Sequence, residues 1–284
     1  MNTSKQLNDL IKNVSKKIGI NTQILQKRYF MERFLDRISQ SDYRNNFILK
    51  GGILISALVG MEARSTMDID ITIKNLQLNA ESVKTIVTEI MTIDLEDNVR
   101  FIFRKIENIR DEAEYDCYRV SLDIAFDKVR DNIKLDITTG DAITPCEVQF
   151  GYETMLEKKK IALYSYNIET ILAEKIETIL SRGVLNTRMR DFYDCFILDR
   201  SYRNFIDTKN FCDALKATAK RRKAEIVLTK TTTIIEELKI SAELRKLWNA
   251  YANTFQYARE IPFDEAIDAV EKYIIIFSKN RGSL

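Results

Sequence analysis

The sequence predicts an α/β protein of the α+β kind, with a mixed sheet flanked by helices up to about residue 165 and an all-helical domain after it. Three observations carry this. Segments that alternate apolar and polar residues with period two all fall before residue 165. From about Asn167 onward the apolar spacing is helical. Only 8 Gly and 2 Pro leave little material for a turn-rich sandwich. The expected domains are therefore 1–165 and 166–284.

Each element has its own signal. Leu7, Leu10, Ile11 and Val14 recur at three- and four-residue spacing and predict a helix from Ser4, with a second amphipathic stretch from Thr22 through Ile38. Phe47-Ile48-Leu49 reads as a short strand running into Lys50-Gly51-Gly52, and Ile53 to Val59 reads as a helix stopped by Gly60. In Asp68 to Lys74 the isoleucines at 69, 71 and 73 face one way, and Asp68, Asp70 and Thr72 the other. Asn79 to Met91 predicts a helix. Tyr118 to Asp127 and Asn132 to Thr138 alternate in the same way and predict a hairpin around Lys128 to Asp131. A last short strand is expected at Ile161 to Tyr164. Helices follow, the last punctuated by Pro262.

Composition narrows the function. With 45% apolar and 30% charged residues the chain reads as an ordinary soluble globular protein. A formal charge of +2 neither requires nor excludes a nucleic acid. Cys117, Cys146, Cys195 and Cys212 include no C-x-x-C pair, as in a reduced, cytoplasmic protein. The N-terminal stretch has no signal-like apolar core, and no run is long enough to span a membrane. There is no histidine. That excludes a Ser-His-Asp or Cys-His hydrolase and any His-ligated zinc or iron site. Chemistry must run on carboxylates, Lys, Arg, hydroxyls or thiols, which favours a hard, oxygen-ligated ion such as magnesium.

The candidate site residues follow from position. Asp68 and Asp70 lie two apart on a strand, so their carboxylates share a face and could hold such an ion; a wet strand face is the plainer alternative. Gly51-Gly52 at a strand-to-helix turn lets backbone N–H groups approach a phosphate. Asp136, outward on its strand, is the expected third carboxylate, with Asp123 its competitor. In the helix Ile168 to Leu180, Lys175 projects into the apolar arc of Ile168, Ile171, Leu172, Ile176 and Ile179. It calls for an internal carboxylate or the phosphates of a bound nucleotide. Asp191 and Asp194, at i, i+3 among apolar neighbours and just after Arg188 and Arg190, could pair with it or complete a site. Lys216, Lys220, Arg221, Arg222 and Lys223 form a basic run that is a solvated face or an RNA-facing stripe.

Lys50-Gly51-Gly52, Arg64-Ser65-Thr66-Met67-Asp68-Ile69-Asp70, Ala173-Glu174-Lys175-Ile176, Ser181-Arg182-Gly183 and Arg188-Met189-Arg190-Asp191-Phe192-Tyr193-Asp194 occur in this order. The series resembles the AbiEii/AbiGii family of nucleotidyltransferase toxins, relatives of the DNA polymerase β superfamily, over roughly residues 45 to 200. The resemblance implies a nucleotidyltransferase domain at 1–165 and a helical domain contributing Lys175 and Asp191 to its cleft. It implies metal ligands at Asp68, Asp70 and Asp136, and catalytic roles for Asp68, Asp70, Lys175 and Asp191. The nucleotide would be held by Lys50, Gly51, Gly52, Arg64, Thr66, Lys175 and Asp194. The cofactor would be Mg²⁺ or Mn²⁺, and the substrate an NTP whose nucleoside monophosphate goes to an acceptor, tRNA first. A protein hydroxyl is the alternative acceptor, and a non-catalytic nucleic-acid- or antitoxin-binding protein the alternative class. An antitoxin encoded by a neighbouring gene is the expected partner in a phage-abortive-infection system. The sequence departs from many relatives in having Gly51-Gly52 where they carry Gly-Ser, so a hydroxyl contact to the nucleotide is expected to be missing.

Overall fold

A computed structural model describes residues 1, 3–109 and 117–281. The chain divides into two compact units, residues 1–140 with 148–165, and residues 141–147 with 166–284.

The first unit is built on one seven-stranded mixed sheet. Its strands are β1 (Phe47–Lys50), β2 (Ile69–Ile73), β3 (Arg100–Asn108), β4 (Cys117–Phe126), β5 (Val129–Thr139), β6 (Val148–Glu153) and β7 (Lys160–Ser165). Their order across the sheet is β3-β4-β5-β2-β1-β7-β6. β2 runs parallel to β5 and β1 parallel to β7, and the other neighbours are antiparallel. Four helices accompany it: α1 (Ser4–Ile18), α2 (Thr22–Gln40), α3 (Gly51–Val59) and α4 (Ala80–Met91). The expected alternation is present. Ile69, Ile71, Ile133, Leu135 and Ile137 are fully or almost fully buried, while Asp70 and Asp136 between them are half-buried and Lys134 is exposed. α2 packs on β5 and β7, and α4 on β3 and β4.

Two strands are additions to the sequence reading. β3 is an edge strand with a register shift between Phe103 and Lys105 and little continuous apolar face. β6, at the opposite edge, buries only Tyr152. The hairpin of β4 and β5 is also tighter than expected. Phe126 pairs with Val129, so the turn is Asp127-Lys128, and Asp127 takes a left-handed φ of 48°.

α2 reads as polar yet buries five charged residues. Arg37 forms a bidentate pair with Asp97 at 2.9 and 2.8 Å. Glu32 takes Arg28 Nε at 3.1 Å and the Met155 N–H at 3.0 Å. Asp36 takes Lys159 Nζ at 2.6 Å. Burial pushes the Glu32 carboxyl above its usual range, with Arg28 opposing the shift. Arg33 completes the set through Glu157 at 2.7 Å.

The second unit is helical: α5 (Ile168–Arg182), α6 (Met189–Tyr202), α7 (Thr208–Arg221), α8 (Thr231–Ile240), α9 (Ala242–Thr254) and α10 (Phe263–Arg281). The N-cap residue Asn167 accepts the Thr170 N–H at 2.7 Å and donates to the Thr144 and Cys146 carbonyls at 2.9 and 2.8 Å. That binds residues 141–147 to α5. Pro262 stands immediately before α10, where a missing N–H costs nothing. Among the described residues no helix is long and apolar enough to cross a membrane.

Candidate active site

The turn from β1 into α3 is where the site begins. Gly51 opens the helix with φ +65°, a conformation that suits only glycine well, and a Cβ there would collide with the Asp70 carboxylate. The next N–H, that of Gly52, donates to Asp70 Oδ2 at 3.2 Å. The Asp70 carboxylate thus occupies the positive end of α3. A Cβ on Gly52 would lie 2.9 Å from Thr66 Oγ1 and 3.2 Å from an Arg64 guanidinium nitrogen. Thr66 therefore sets its own hydroxyl over the position where a serine would have carried one.

Arg64 is 1% exposed and donates to the Ser65 carbonyl. Its guanidinium lies beside the turn from β1 into α3. Lys50 is the N-cap residue of α3 and lies opposite Asp70 in the β1–β2 register.

Asp68 stands one residue before β2, in a bend, and is half-buried. The strand face it was expected to share therefore begins at its neighbour. Asp136 lies opposite Asp70 across the parallel β2–β5 pair. Both of its oxygens are taken by Arg119, which donates from Nε at 2.7 Å and from Nη2 at 2.6 Å. Asp136, with Asp68 contributing, holds the Arg119 guanidinium firmly charged. Asp123 shares the outward face of β4 with Arg119 but lies four residues away, about 13 Å along the strand. Arg104 stands 3.6 Å from it, and both side chains are well exposed. Geometry favours Asp136 over Asp123.

The donor chemistry of Asp68 and Asp70 suits a hard divalent cation, since the chain offers carboxylate oxygens and no imidazole. Asp136 does not join them as it stands. Among the described residues no three His, Cys, Asp or Glu side chains are gathered as a metal cage.

In the helical unit, Lys175 on α5 reaches Asp191 at 2.7 Å and Asp194 at 2.9 Å, both on α6. The side chain of Lys175 is 14% exposed and those of the aspartates 1% and 0%. Burial alone would pull the ammonium down, but the two carboxylates outweigh it and hold Lys175 above the ordinary lysine range. Arg188 stands 2.9 Å from the other oxygen of Asp191. Buried Cys195 beside them is pushed well up, first by burial and then by Asp191, which makes it a structural thiol and not a nucleophile.

The basic run at the C-terminal end of α7 is split. Arg222 turns inward to Glu177, Thr178 and Glu174, so it leaves the stripe, whereas Lys220 and Lys223 are exposed.

The fold is similar to those of solved nucleotidyltransferase structures. MenT4, a nucleotidyltransferase toxin of Mycobacterium tuberculosis H37Rv, superposes with a TM-score of 0.56 at 14% identity, covering 94% of this chain and 98% of that one. JHP933 of Helicobacter pylori gives a TM-score of 0.50 at 17% identity, covering 93% and 97%. No curated protein matches the chain. The family model described as "Nucleotidyl transferase AbiEii toxin, Type IV TA system" matches residues 33–269, and the chain belongs to that family. It is a nucleotidyltransferase toxin of a type IV toxin–antitoxin system.

Proposed function

We propose that the protein transfers a nucleoside monophosphate from an NTP to the 3′ end of tRNA with the help of Mg²⁺ or Mn²⁺. The observation that carries this reading is the Asp70 carboxylate on the Gly52 N–H in the first turn of α3, with Asp136 in register beside it. A helix start built from glycines is an anion site, and a carboxylate resting there marks the place a phosphate oxygen would take.

Asp68 and Asp70 would hold the divalent ion, which when bound neutralises the triphosphate and lowers the pKa of the acceptor hydroxyl. The Gly52 N–H then serves a phosphate oxygen in place of Asp70. Lys50 and the Thr66 hydroxyl orient the triphosphate, and Arg64 stiffens the turn beneath it. Asp136, once Arg119 moves off it, would take the proton that the acceptor hydroxyl gives up. That oxygen attacks the α-phosphorus as the bond to the β-phosphate oxygen breaks, and pyrophosphate leaves. Within the helical unit, Asp191 with Asp194 keeps the Lys175 ammonium charged and oriented, a cation suited to phosphate. The antitoxin is a separate chain encoded beside this one.

Incubation with labelled NTPs, Mg²⁺ and either total RNA or total protein tests the reading. Label should enter the tRNA band and vanish with Asp68→Ala. Label in protein alone would replace the acceptor with a hydroxyl side chain. No label in either pool, with Mg²⁺ or Mn²⁺, would reject catalysis.

A further inference from the structure

Asp199 lies toward the C-terminal end of α6 and is 4% exposed, yet it gathers more donors than one carboxylate needs. Lys272 of α10 donates to its Oδ1 at 2.6 Å, and the Tyr273 hydroxyl to the same atom at 2.9 Å. Arg203 donates to Oδ2 at 2.5 Å. One buried negative charge thus stations two cations, and each keeps donors to spare. Arg200, three residues before Arg203, is exposed, and its guanidinium forms no ion pair among the described residues.

These side chains line an open cleft of about 770 Å³ within the helical unit, walled by α6, the turn after it and α10. Small-molecule pockets span about 300–1,000 Å³, so the size is that of a ligand site. Three cations against one carboxylate leave two positive charges on this wall, about what a phosphomonoester carries in negative charge at neutral pH. Cations already held on Asp199 lose little further freedom when an anion arrives. The planar guanidinium fork suits phosphate oxygens in particular. Phe205 lines the same cleft while 77% exposed, an uncovered ring on which a flat base can stack. Glu265 and Asp268 of α10 are exposed carboxylates in the cleft. They repel phosphate and accept hydrogen bonds, so they turn the phosphate toward α6 and the ribose hydroxyls or a base amino group toward α10.

We propose that this cleft binds a nucleotide, with its phosphate on Arg200, Arg203 and Lys272 and its base against Phe205. A free nucleotide and an unpaired residue of an RNA strand share this chemistry. None of these side chains belongs to the candidate active site. Along α6, Asp199 follows Asp191 by eight residues, about 12 Å. The inference does not rest on the transfer reaction proposed above.

Calorimetric titration of the full-length protein with AMP in EDTA tests it, with no divalent ion to draw the ligand to Asp68 and Asp70. AMP should bind, and adenosine, ribose 5-phosphate and inorganic phosphate should each bind about tenfold more weakly or worse. Arg200→Gln and Phe205→Ala alter exposed side chains and should keep the wild-type melting temperature. Each should weaken AMP about tenfold, the loss expected for one charge-assisted contact or one stacked base. Asp70→Asn, in the other unit, should bind AMP like wild type. A single-stranded oligoadenylate separates the two sources. If it binds tighter than AMP and loses affinity in the same two variants, the occupant is RNA; if it binds more weakly, the occupant is a free nucleotide. AMP binding indifferent to both Arg200→Gln and Phe205→Ala overturns the proposal. So does inorganic phosphate binding as tightly as AMP, or a protein that binds neither AMP nor the oligoadenylate.

Discussion

Two aspartate clusters in this protein each receive a cation, and their surroundings differ in one decisive respect. Asp136 and Arg119 meet on a half-open strand face, with side chains 20% and 35% exposed. Asp191 and Asp194 meet Lys175 between two helices, at 1%, 0% and 14%. An exposed pair can exchange partners at small cost, because water takes up whatever charge is released. A buried triad cannot, because each charge stripped of its partner remains in a poorly polarisable interior. The sheet cluster is thus free to serve a ligand, while the helical cluster holds the fold even where it also serves one.

The strongest way to break this contrast is at the sheet. Asp68→Ala and Asp70→Asn should each abolish nucleotide transfer while leaving the melting temperature close to that of wild type. Wild-type transfer by either would remove the metal assignment.

Next comes the helical cluster. Lys175→Met leaves two buried aspartates without their shared cation and should cost about 3–5 kcal/mol of stability. Chemical unfolding measures it, and a variant as stable as wild type would end the claim that the triad holds the unit together. The pH dependence sharpens the point. The folded Lys175 value lies above the ordinary 10.5, so its stabilisation is complete below that pH and is lost as the pH rises through the folded value. The stability gap between wild type and Lys175→Met should stay flat from neutral pH to about 10 and shrink only beyond it.

Gly51→Ala should act on the sheet cluster more mildly. The added Cβ strains a left-handed backbone and pushes Asp70 off its seat, so transfer should fall and stability should drop by about 1 kcal/mol or more. Smallest of all is Asp123→Asn. On the same strand face as Arg119 but away from Asp70 and Asp136, it should change neither transfer nor melting; a loss of transfer would reopen the choice of third carboxylate.

Much of this was legible in the sequence. Strict alternation in β2 and β5 gave Asp70 and Asp136 their facing, and the apolar arc of α5 pointed Lys175 at a partner. What escaped was set by pairing. The edge strands β3 and β6 have only one neighbour each, so their residues need no continuous apolar face. The burial of the charges on α2 left no mark in the local pattern, because their partners, Asp97, Met155, Glu157 and Lys159, lie far along the chain. Arg119 escaped because the hairpin turn was expected around Lys128 to Asp131. With the turn at Asp127-Lys128, counting back from the Phe126–Val129 pair sets Arg119 opposite Asp136. A misjudged turn shifts every cross-strand partner.

The contact between Gly51 and Asp70 ties two positions together in evolution as well as in space. A side chain at 51 and a carboxylate seated as at 70 cannot coexist, because a Cβ at the first would stand where the second rests. Loss of the acid at residue 70 would remove that clash, but the left-handed backbone at residue 51 would still favour glycine. A side chain at residue 51 therefore has two obstacles to overcome, the backbone and the acid, and only the second is removed by a change at residue 70.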